Sequence, residues 1–185
     1  MLKDMAKITN YFFRGRVAVF IFILLIAAFL RLYKLTSIPP GVNRDEASIG
    51  YTAFSILKTG KDEYGRFLPL SFQSFGDWKL PLYIYTTVPF VATLGVGELA
   101  VRLPSAIAGI ATVALVYPLV MALFNNSLLG LLSMAALAIS PWHIHLSREE
   151  SESNVAVLLT TLGVLSFLHG LKYAKRAHLI LFAAI

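Results

Sequence analysis

The sequence has no cysteine and few charged residues, and both shortages narrow what the protein can be. Without cysteine the chain can form neither a disulfide nor a thiolate metal site. Only 14% of its 185 residues are charged and 57% are hydrophobic, whereas soluble domains carry about 25% charged residues. We therefore predict an all-α, polytopic membrane protein. The net charge of +6 reflects basic residues that flank apolar segments, so we expect no nucleic-acid partner.

Two further signals are missing. Neither a P-loop nor the three-glycine dinucleotide fingerprint occurs, so the sequence shows no phosphate-binding motif for a soluble nucleotide donor. The first apolar run is followed by Arg31 and Lys34, where a cleaved signal peptide would have small residues. We interpret this run as a retained signal anchor and expect both cations to reach the membrane interface by snorkelling.

Hydropathy predicts four full membrane spans and the start of a fifth apolar helix. The predicted spans are residues 17–35, 101–124, 128–142 and 155–171. Basic residues before the first span place the N-terminus in the cytoplasm, so residues 36–100 form an extracytoplasmic loop. Because the last apolar segment, from His178 to Ile185, is shorter than a span, we expect residues 1–185 to be the N-terminal part of a longer protein.

The apolar segment 81–94 leaves two topologies open. If it crosses the bilayer, the polar residues before it and those near His143 face opposite compartments. If it lies beside the membrane surface, the two groups share one face. About 14 residues are too few to span, and only the second topology puts the basic residues Lys172, Lys175 and Arg176 in the cytoplasm. We therefore expect residues 81–94, like the helical pattern of residues 47–59, to form juxtamembrane helices.

An acidic pair follows the first span. Asp45 and Glu46 stand just outside hydrocarbon, where charged side chains are costly and commonly functional. The structural alternative is a capping box, in which Asn43 and Glu46 satisfy each other's backbone amides at the start of a helix. Capping explains Glu46 well and Asp45 only in part.

A second polar segment covers residues 140–154. Trp142 is typical of an aromatic belt at a membrane interface. His143 and His145 are a weak metal pair because residues two apart do not share a helix face, although nearby glutamates could complete a site for a divalent metal. Glu149 and Glu150 are typical of a solvated helix start, while Glu152 stands nearest the next apolar helix.

One membrane face is thus predicted to carry carboxylates beside fixed cations. The candidate catalytic carboxylates are Asp45 and Glu46, and the candidate substrate-binding residues are Asp77, Lys79, Arg102, His143, Arg148 and Glu152. Such a set favours general-base chemistry next to an anionic group such as a phosphate. A carboxylate takes the proton from an attacking hydroxyl while cations stabilise the departing phosphate.

Four short motifs in order carry a family resemblance. They are Pro39-Pro40-Gly41 followed by Arg44-Asp45-Glu46-Ala47, then Gly76-Asp77-Trp78-Lys79-Leu80-Pro81, then Glu98-Leu99-Ala100-Val101-Arg102-Leu103-Pro104-Ser105, and finally Ser140-Pro141-Trp142-His143 with Ser147-Arg148. In these motifs the chain resembles the GT-C superfamily of membrane glycosyltransferases. It is similar to the bacterial relatives of protein O-mannosyltransferases and lipid A aminoarabinose transferases.

The resemblance implies a multi-pass plasma-membrane enzyme with its site on the extracytoplasmic face. The donor would be a hexose or pentose on a polyprenyl phosphate, and the acceptor a hydroxyl of a protein, lipid or glycan. The family's catalytic carboxylate falls on Asp45, phosphate-contacting or loop-bracing cations fall on Lys79 and Arg102, and a second acidic position falls on Glu152. Where Glu150 and Ser151 stand, relatives commonly have small and aromatic residues.

Two other functional classes remain open from the sequence. The chain could be a non-catalytic, truncated membrane fragment that at most binds a lipid phosphate or a partner. A transporter or channel subunit is the other alternative, but it predicts charges along a path through the bilayer, whereas here they collect on one face. No resident cofactor is indicated; a divalent metal stays possible.

Overall fold

The computed structural model describes residues 2–74, 76–173 and 176–184. The elements, in chain order, are α1 (Leu2–Leu32), α2 (Arg44–Thr59), β1 (Phe72–Ser74), β2 (Asp77–Lys79), α3 (Pro81–Leu94), α4 (Glu98–Phe124), α5 (Ser127–Ala138), α6 (Pro141–Arg148), α7 (Glu152–Tyr173) and α8 (Arg176–Ala184). Lys175, one of the basic residues used to predict the topology, lies outside the described residues.

Helices long enough to span a membrane dominate the fold. Within the described chain, three helical segments have the length and composition of a span: Gly15–Leu32 of α1, Glu98–Phe124 and Glu152–Tyr173. The pair α5 and α6 passes the same criterion together but is bent by 57°. The predicted all-α, polytopic fold is confirmed, with a two-stranded antiparallel hairpin, β1–β2, as a small addition.

The predicted third span, residues 128–142, is not one straight helix. The α5 helix ends at Ala138, and a new helix, α6, begins at Pro141. Proline lacks the amide that would continue α5 but suits the first turn of a helix, which explains why the break falls here. Residues 141–148, expected to be a polar loop, are therefore mostly helical, and His143 and His145 lie on this helix.

The short helix α3 packs against α2 and α4. At about 1.5 Å per residue, its 14 residues extend about 21 Å, less than the roughly 30 Å hydrocarbon thickness of a bilayer. Tyr83 and Ile84 are buried with Ile49 of α2 and Val101 of α4, and the Tyr83 hydroxyl donates to the Val101 carbonyl oxygen at 2.8 Å. The helix is thus held alongside its neighbours by one of its faces.

Contacts between distant segments bring several helix ends to one end of the bundle. Arg102, near the start of α4, donates to carbonyl oxygens of Leu35 and Pro39, just after α1. Arg148, at the end of α6, donates to those of Leu30 and Tyr33. The end of α1, the start of α4 and the end of α6 therefore meet, and we call this the polar end of the bundle.

Away from the polar end, the long helices pack through apolar side chains. Ile23 and Ala27 of α1, Val113 of α4 and Met134 of α5 form one buried cluster. At Gly109 the α4 backbone comes so close to α6 that a Cβ atom there would clash with Ser147. Such a close approach fixes the position of α6, and hence of the residues that follow it, relative to α4.

Candidate active site

The site is centred on an ion pair between α2 and the hairpin. Asp45 is the second residue of α2, and its Oδ1 lies 3.2 Å from Nζ of Lys79, the last residue of β2. The Lys79 ammonium also donates to the main-chain oxygen of Asp45 at 3.3 Å. The Asp45 side chain is 53% exposed and that of Lys79 only 12%, so the carboxylate is open to a substrate while the cation is held beneath it.

Glu152 contacts the residue that follows Lys79. Its carboxylate accepts a hydrogen bond from the backbone amide of Leu80, the residue after Lys79, at 3.1 Å. Because Glu152 is the first residue of α7, this bond fixes the start of α7 against the end of the hairpin. The structure thus brings together Asp45, Lys79 and Glu152, three of the residues singled out from the sequence.

Glu46 turns away from Asp45 into the protein. It forms the capping box with Asn43, and both reciprocal hydrogen bonds are present. Its carboxylate also binds Arg102 through two bonds, with Nε–Oε1 at 2.7 Å and Nη2–Oε2 at 2.9 Å. Both side chains are buried. Glu46 was predicted as catalytic, but this geometry gives it a structural task beneath the site.

The two site arginines bind mainly main-chain oxygens. Besides Glu46, Arg102 donates to the carbonyls of Leu35, Pro39 and Gly41. Arg148 donates to those of Leu30, Tyr33 and Ile38, and more distantly to Lys34. These bonds engage both guanidinium groups in holding the segment after α1 in place. Of the two roles predicted for Arg102, the geometry matches bracing of the loop.

His143 lies against Arg31 and is buried with it. The distance between His143 Nδ1 and Arg31 Nη2 is 2.6 Å. Arg31 also donates to the carbonyl oxygens of Leu137 and Ala138, which form the C-terminal end of α5. The expectation that Arg31 snorkels to the interface is wrong, because its side chain is fully buried. A cation at the negative end of a helix is electrostatically favourable, which explains its position.

Asp77 and the candidate metal ligands complete the set of predicted residues. The Asp77 backbone pairs with Ser74 in the hairpin, while its side chain lies outside the described part of the chain. His145 Nε2 is 3.7 Å from Glu149 Oε1. Across the described residues, no group of three or more His, Asp or Glu side chains has the arrangement of a metal site.

Glu150 is a residue of this region that the sequence interpretation missed. It was predicted to belong to a solvated helix start, but α7 begins two residues later, where Ser151 Oγ accepts the Asn154 amide at 3.1 Å. Glu150 lies in the short connection between α6 and α7, partly buried, and its amide points to Glu46 Oε1 at 3.4 Å. Burial raises the pKa of its carboxyl to about 7, although the positive charge of Lys79 acts in the opposite direction.

The arrangement suits proton transfer beside a bound anion. An exposed carboxylate stands in contact with a fixed ammonium group, and a second carboxyl close by has a pKa near neutrality. A carboxylate can accept a proton from a hydroxyl, and an ammonium group can hold a phosphate. The sequence offered one signal for Glu150: it stands between two residues singled out as site candidates, Arg148 and Glu152.

Comparison with known proteins identifies the family of the chain. The family model described as dolichyl-phosphate-mannose-protein mannosyltransferase matches residues 79–185, more than half of the chain. The match begins at Lys79 and includes Glu150 and Glu152, whereas Asp45 precedes it. No curated protein and no solved structure gave a significant match. The resemblance to GT-C membrane glycosyltransferases is confirmed: the chain belongs to the dolichyl-phosphate-mannose-protein mannosyltransferase family.

Proposed function

We propose that this membrane glycosyltransferase moves a sugar from a polyprenyl-phosphate donor to an acceptor hydroxyl, with Asp45 as the general base. The observation that carries the proposal is the contact between the exposed Asp45 carboxylate and the Lys79 ammonium at the polar end. A hydroxyl that approaches Asp45 is then within reach of a phosphate that rests on Lys79. The acceptor is a hydroxyl of a protein, a lipid or another glycan.

The reaction is a displacement at the anomeric carbon of the donor. Asp45 removes the proton of the acceptor hydroxyl as its oxygen forms a bond to that carbon, and the bond from carbon to phosphate oxygen breaks. Lys79 stabilises the additional negative charge on the departing lipid phosphate. Glu152 positions Lys79 through the Leu80 amide. Glu46, Arg102 and Arg148 act as positioning residues that hold the loop after α1.

Lys79 gives the direct test of the donor proposal. With mannosyl polyprenyl phosphate as the probe, Lys79→Gln should raise the KM for the donor about tenfold or more, because a charge-assisted contact to phosphate is worth about 1.5–3 kcal/mol. Lys79→Arg should recover part of the loss. The measurement is transfer of labelled mannose by the purified protein in detergent.

Lys58→Gln is the matched control for this test. Lys58 also lies between α1 and α4, in the last turn of α2, but its ammonium lies over the Phe54 ring, away from Asp45. An unchanged donor KM in Lys79→Gln would remove Lys79 from donor binding. Donor binding without any transfer in the unmodified protein would instead support the non-catalytic alternative.

We further propose that the polar end faces the extracytoplasmic side of the plasma membrane, with residues 36–100 outside. Lys3, Lys7, Arg14 and Arg16 before the first apolar span support a cytoplasmic N-terminus. The shortness of α3 and the contacts between α1, α4 and α6 support a single face for both polar segments.

Thiol labelling tests this orientation, and the absence of native cysteine makes it simple. We expect cysteines introduced at exposed Lys61 and His145 to react with a membrane-impermeant maleimide in intact cells. A cysteine at Asn126, between α4 and α5, should react only after the cells are permeabilised. Protection at position 145 with labelling at position 61 would contradict a shared face.

A further inference from the structure

Glu150 is the titratable group of the polar end that the proposed mechanism leaves without a task. It lies in the connection between Arg148, which is tied to the end of α1, and Glu152, which is tied to the hairpin. With both flanking residues held, the backbone at Glu150 is fixed, and its amide faces Glu46 Oε1. Several hydrogen bonds thus fix this short segment relative to the hairpin that carries Lys79.

Charged and titratable groups face Glu150 from each neighbouring element. The positive charge that acts on it is that of Lys79, and the other groups are Asp45 and Glu46 of α2, Glu152 of α7 and Tyr83 of α3. Burial and the three carboxylates favour the protonated form of Glu150, and Lys79 favours the ionised form. The group is therefore poised between the two protonation states near neutral pH.

Two of the three carboxylates around Glu150, those of Glu46 and Glu152, are already engaged as hydrogen-bond acceptors. Glu46 accepts from Arg102 and from the Asn43 amide, and Glu152 accepts from the Leu80 amide. The oxygens of these two carboxylates are thus already used to hold the structure around the site. Among the glutamates of the connection and its neighbours, Glu150 is the one suited to give a proton away.

We propose that Glu150 is the general acid of the site and protonates the lipid phosphate as it leaves. This inference rests on the proposed function and adds a second catalytic residue to it. Lys79 links Glu150 to the donor, because the same ammonium group that is proposed to hold the donor phosphate acts on the Glu150 carboxyl. The two catalytic carboxyls then have complementary tasks: Asp45 accepts a proton from the acceptor hydroxyl and Glu150 gives one to the leaving group.

The proton balance closes within the site. The donor is a phosphodiester with one negative charge, and breaking its bond to the sugar leaves a phosphate monoester with two. A phosphate monoester has a second pKa of about 6, close enough to that of Glu150 for proton transfer in the transition state. The acceptor proton goes to Asp45, the Glu150 proton goes to the leaving phosphate oxygen, and a proton then returns from Asp45 to Glu150. No oxidant, reductant or further reactant is needed.

The pH dependence of transfer tests the role of Glu150. A general acid must be protonated, so kcat/KM should fall as pH rises through about 7. Glu150→Gln cannot release a proton, so it should lower the rate at pH 6 by about 100-fold and remove this alkaline decline. Glu150→Asp should keep a decline and part of the rate. The readout is transfer from mannosyl polyprenyl phosphate between pH 5 and 9.

Glu149→Gln is the control, because Glu149 lies beside His145 and outside the proposed machinery; it should keep the wild-type rate and profile. Difference infrared spectroscopy supplies a second readout that needs no turnover. A protonated-carboxyl band should disappear as pH rises through about 7 in the unmodified protein and be absent in Glu150→Gln.

The two proposals can fail separately. If Asp45→Asn is inactive but Glu150→Gln keeps the wild-type rate and profile, Glu150 is not the acid and the general base stands. If transfer survives at both positions, the assignment of Asp45 as the general base fails as well. Absence of the titrating infrared band would also overturn the assignment of Glu150.

Discussion

Asp45→Asn should reduce sugar transfer by about 100- to 10,000-fold while leaving the protein as stable as before. Asparagine keeps the size of the side chain but cannot accept the hydroxyl proton, and general-base catalysis is worth about this factor. Stability should change by less than about 1 kcal/mol, because Asp45 is half exposed and exposed ion pairs contribute little. Initial transfer rates and thermal unfolding in detergent measure the two quantities on the same sample.

Glu63→Gln is a suitable control for this variant. Glu63 is an exposed carboxylate in the same loop, so its loss changes the charge equally. Transfer should continue at the wild-type rate. Substantial transfer in both Asp45→Asn and Asp45→Ala would remove Asp45 from the mechanism.

Substitution of Glu46, which follows Asp45, should instead destabilise the protein. Glu46→Ala leaves Arg102 buried without its carboxylate, and breaking a buried ion pair from one side costs about 3–5 kcal/mol. The variant also loses the hydrogen bond from the Asn43 amide to the Glu46 carboxylate, which adds about 1 kcal/mol. We expect a large fall in unfolding temperature and in the amount of protein that inserts correctly. Thermal unfolding and yield in membranes measure this effect.

A double substitution separates the ion pair from the remaining bonds of Arg102. Glu46→Leu with Arg102→Leu should be less destabilising than the sum of the two single changes, because neither charge is left unpaired. Recovery should be incomplete, since the carbonyls of Leu35, Pro39 and Gly41 also lose their donor. Full additivity would contradict a direct energetic coupling between the two side chains.

Local sequence patterns predicted the parts of the fold that depend on neighbours in the chain. The capping box at Asn43 and Glu46 is present as the spacing indicated, because it needs only residues three apart. Hydropathy identified the all-α, membrane-spanning character for the same reason. Pro141 was visible in the sequence, but the predicted span 128–142 ran past it because the residues before it are apolar.

Long-range contacts could not be predicted in this way. Arg31 stands near the end of an apolar run, which favours snorkelling, yet the carbonyl oxygens that bind it belong to Leu137 and Ala138, over a hundred residues later. Glu150 looks solvated in sequence because its burial comes from other elements. The approach of Lys79 to Asp45 depends on the hairpin, whose two three-residue strands are too short to give a clear alternating pattern.

The bonds from Arg102 and Arg148 to main-chain oxygens have a consequence for how this protein tolerates sequence change. Every residue type supplies the same carbonyl, so the exposed side chains of residues 36–38 can be exchanged without removing a partner of either arginine. Leu35 and Gly41 are different, because Leu35 is buried and Gly41 has a positive φ of 77°. A saturation mutagenesis library should therefore accept many replacements at positions 36–38 and almost none at the two arginines, so that the sequence can drift between α1 and α2 while the two side chains that hold this segment stay fixed.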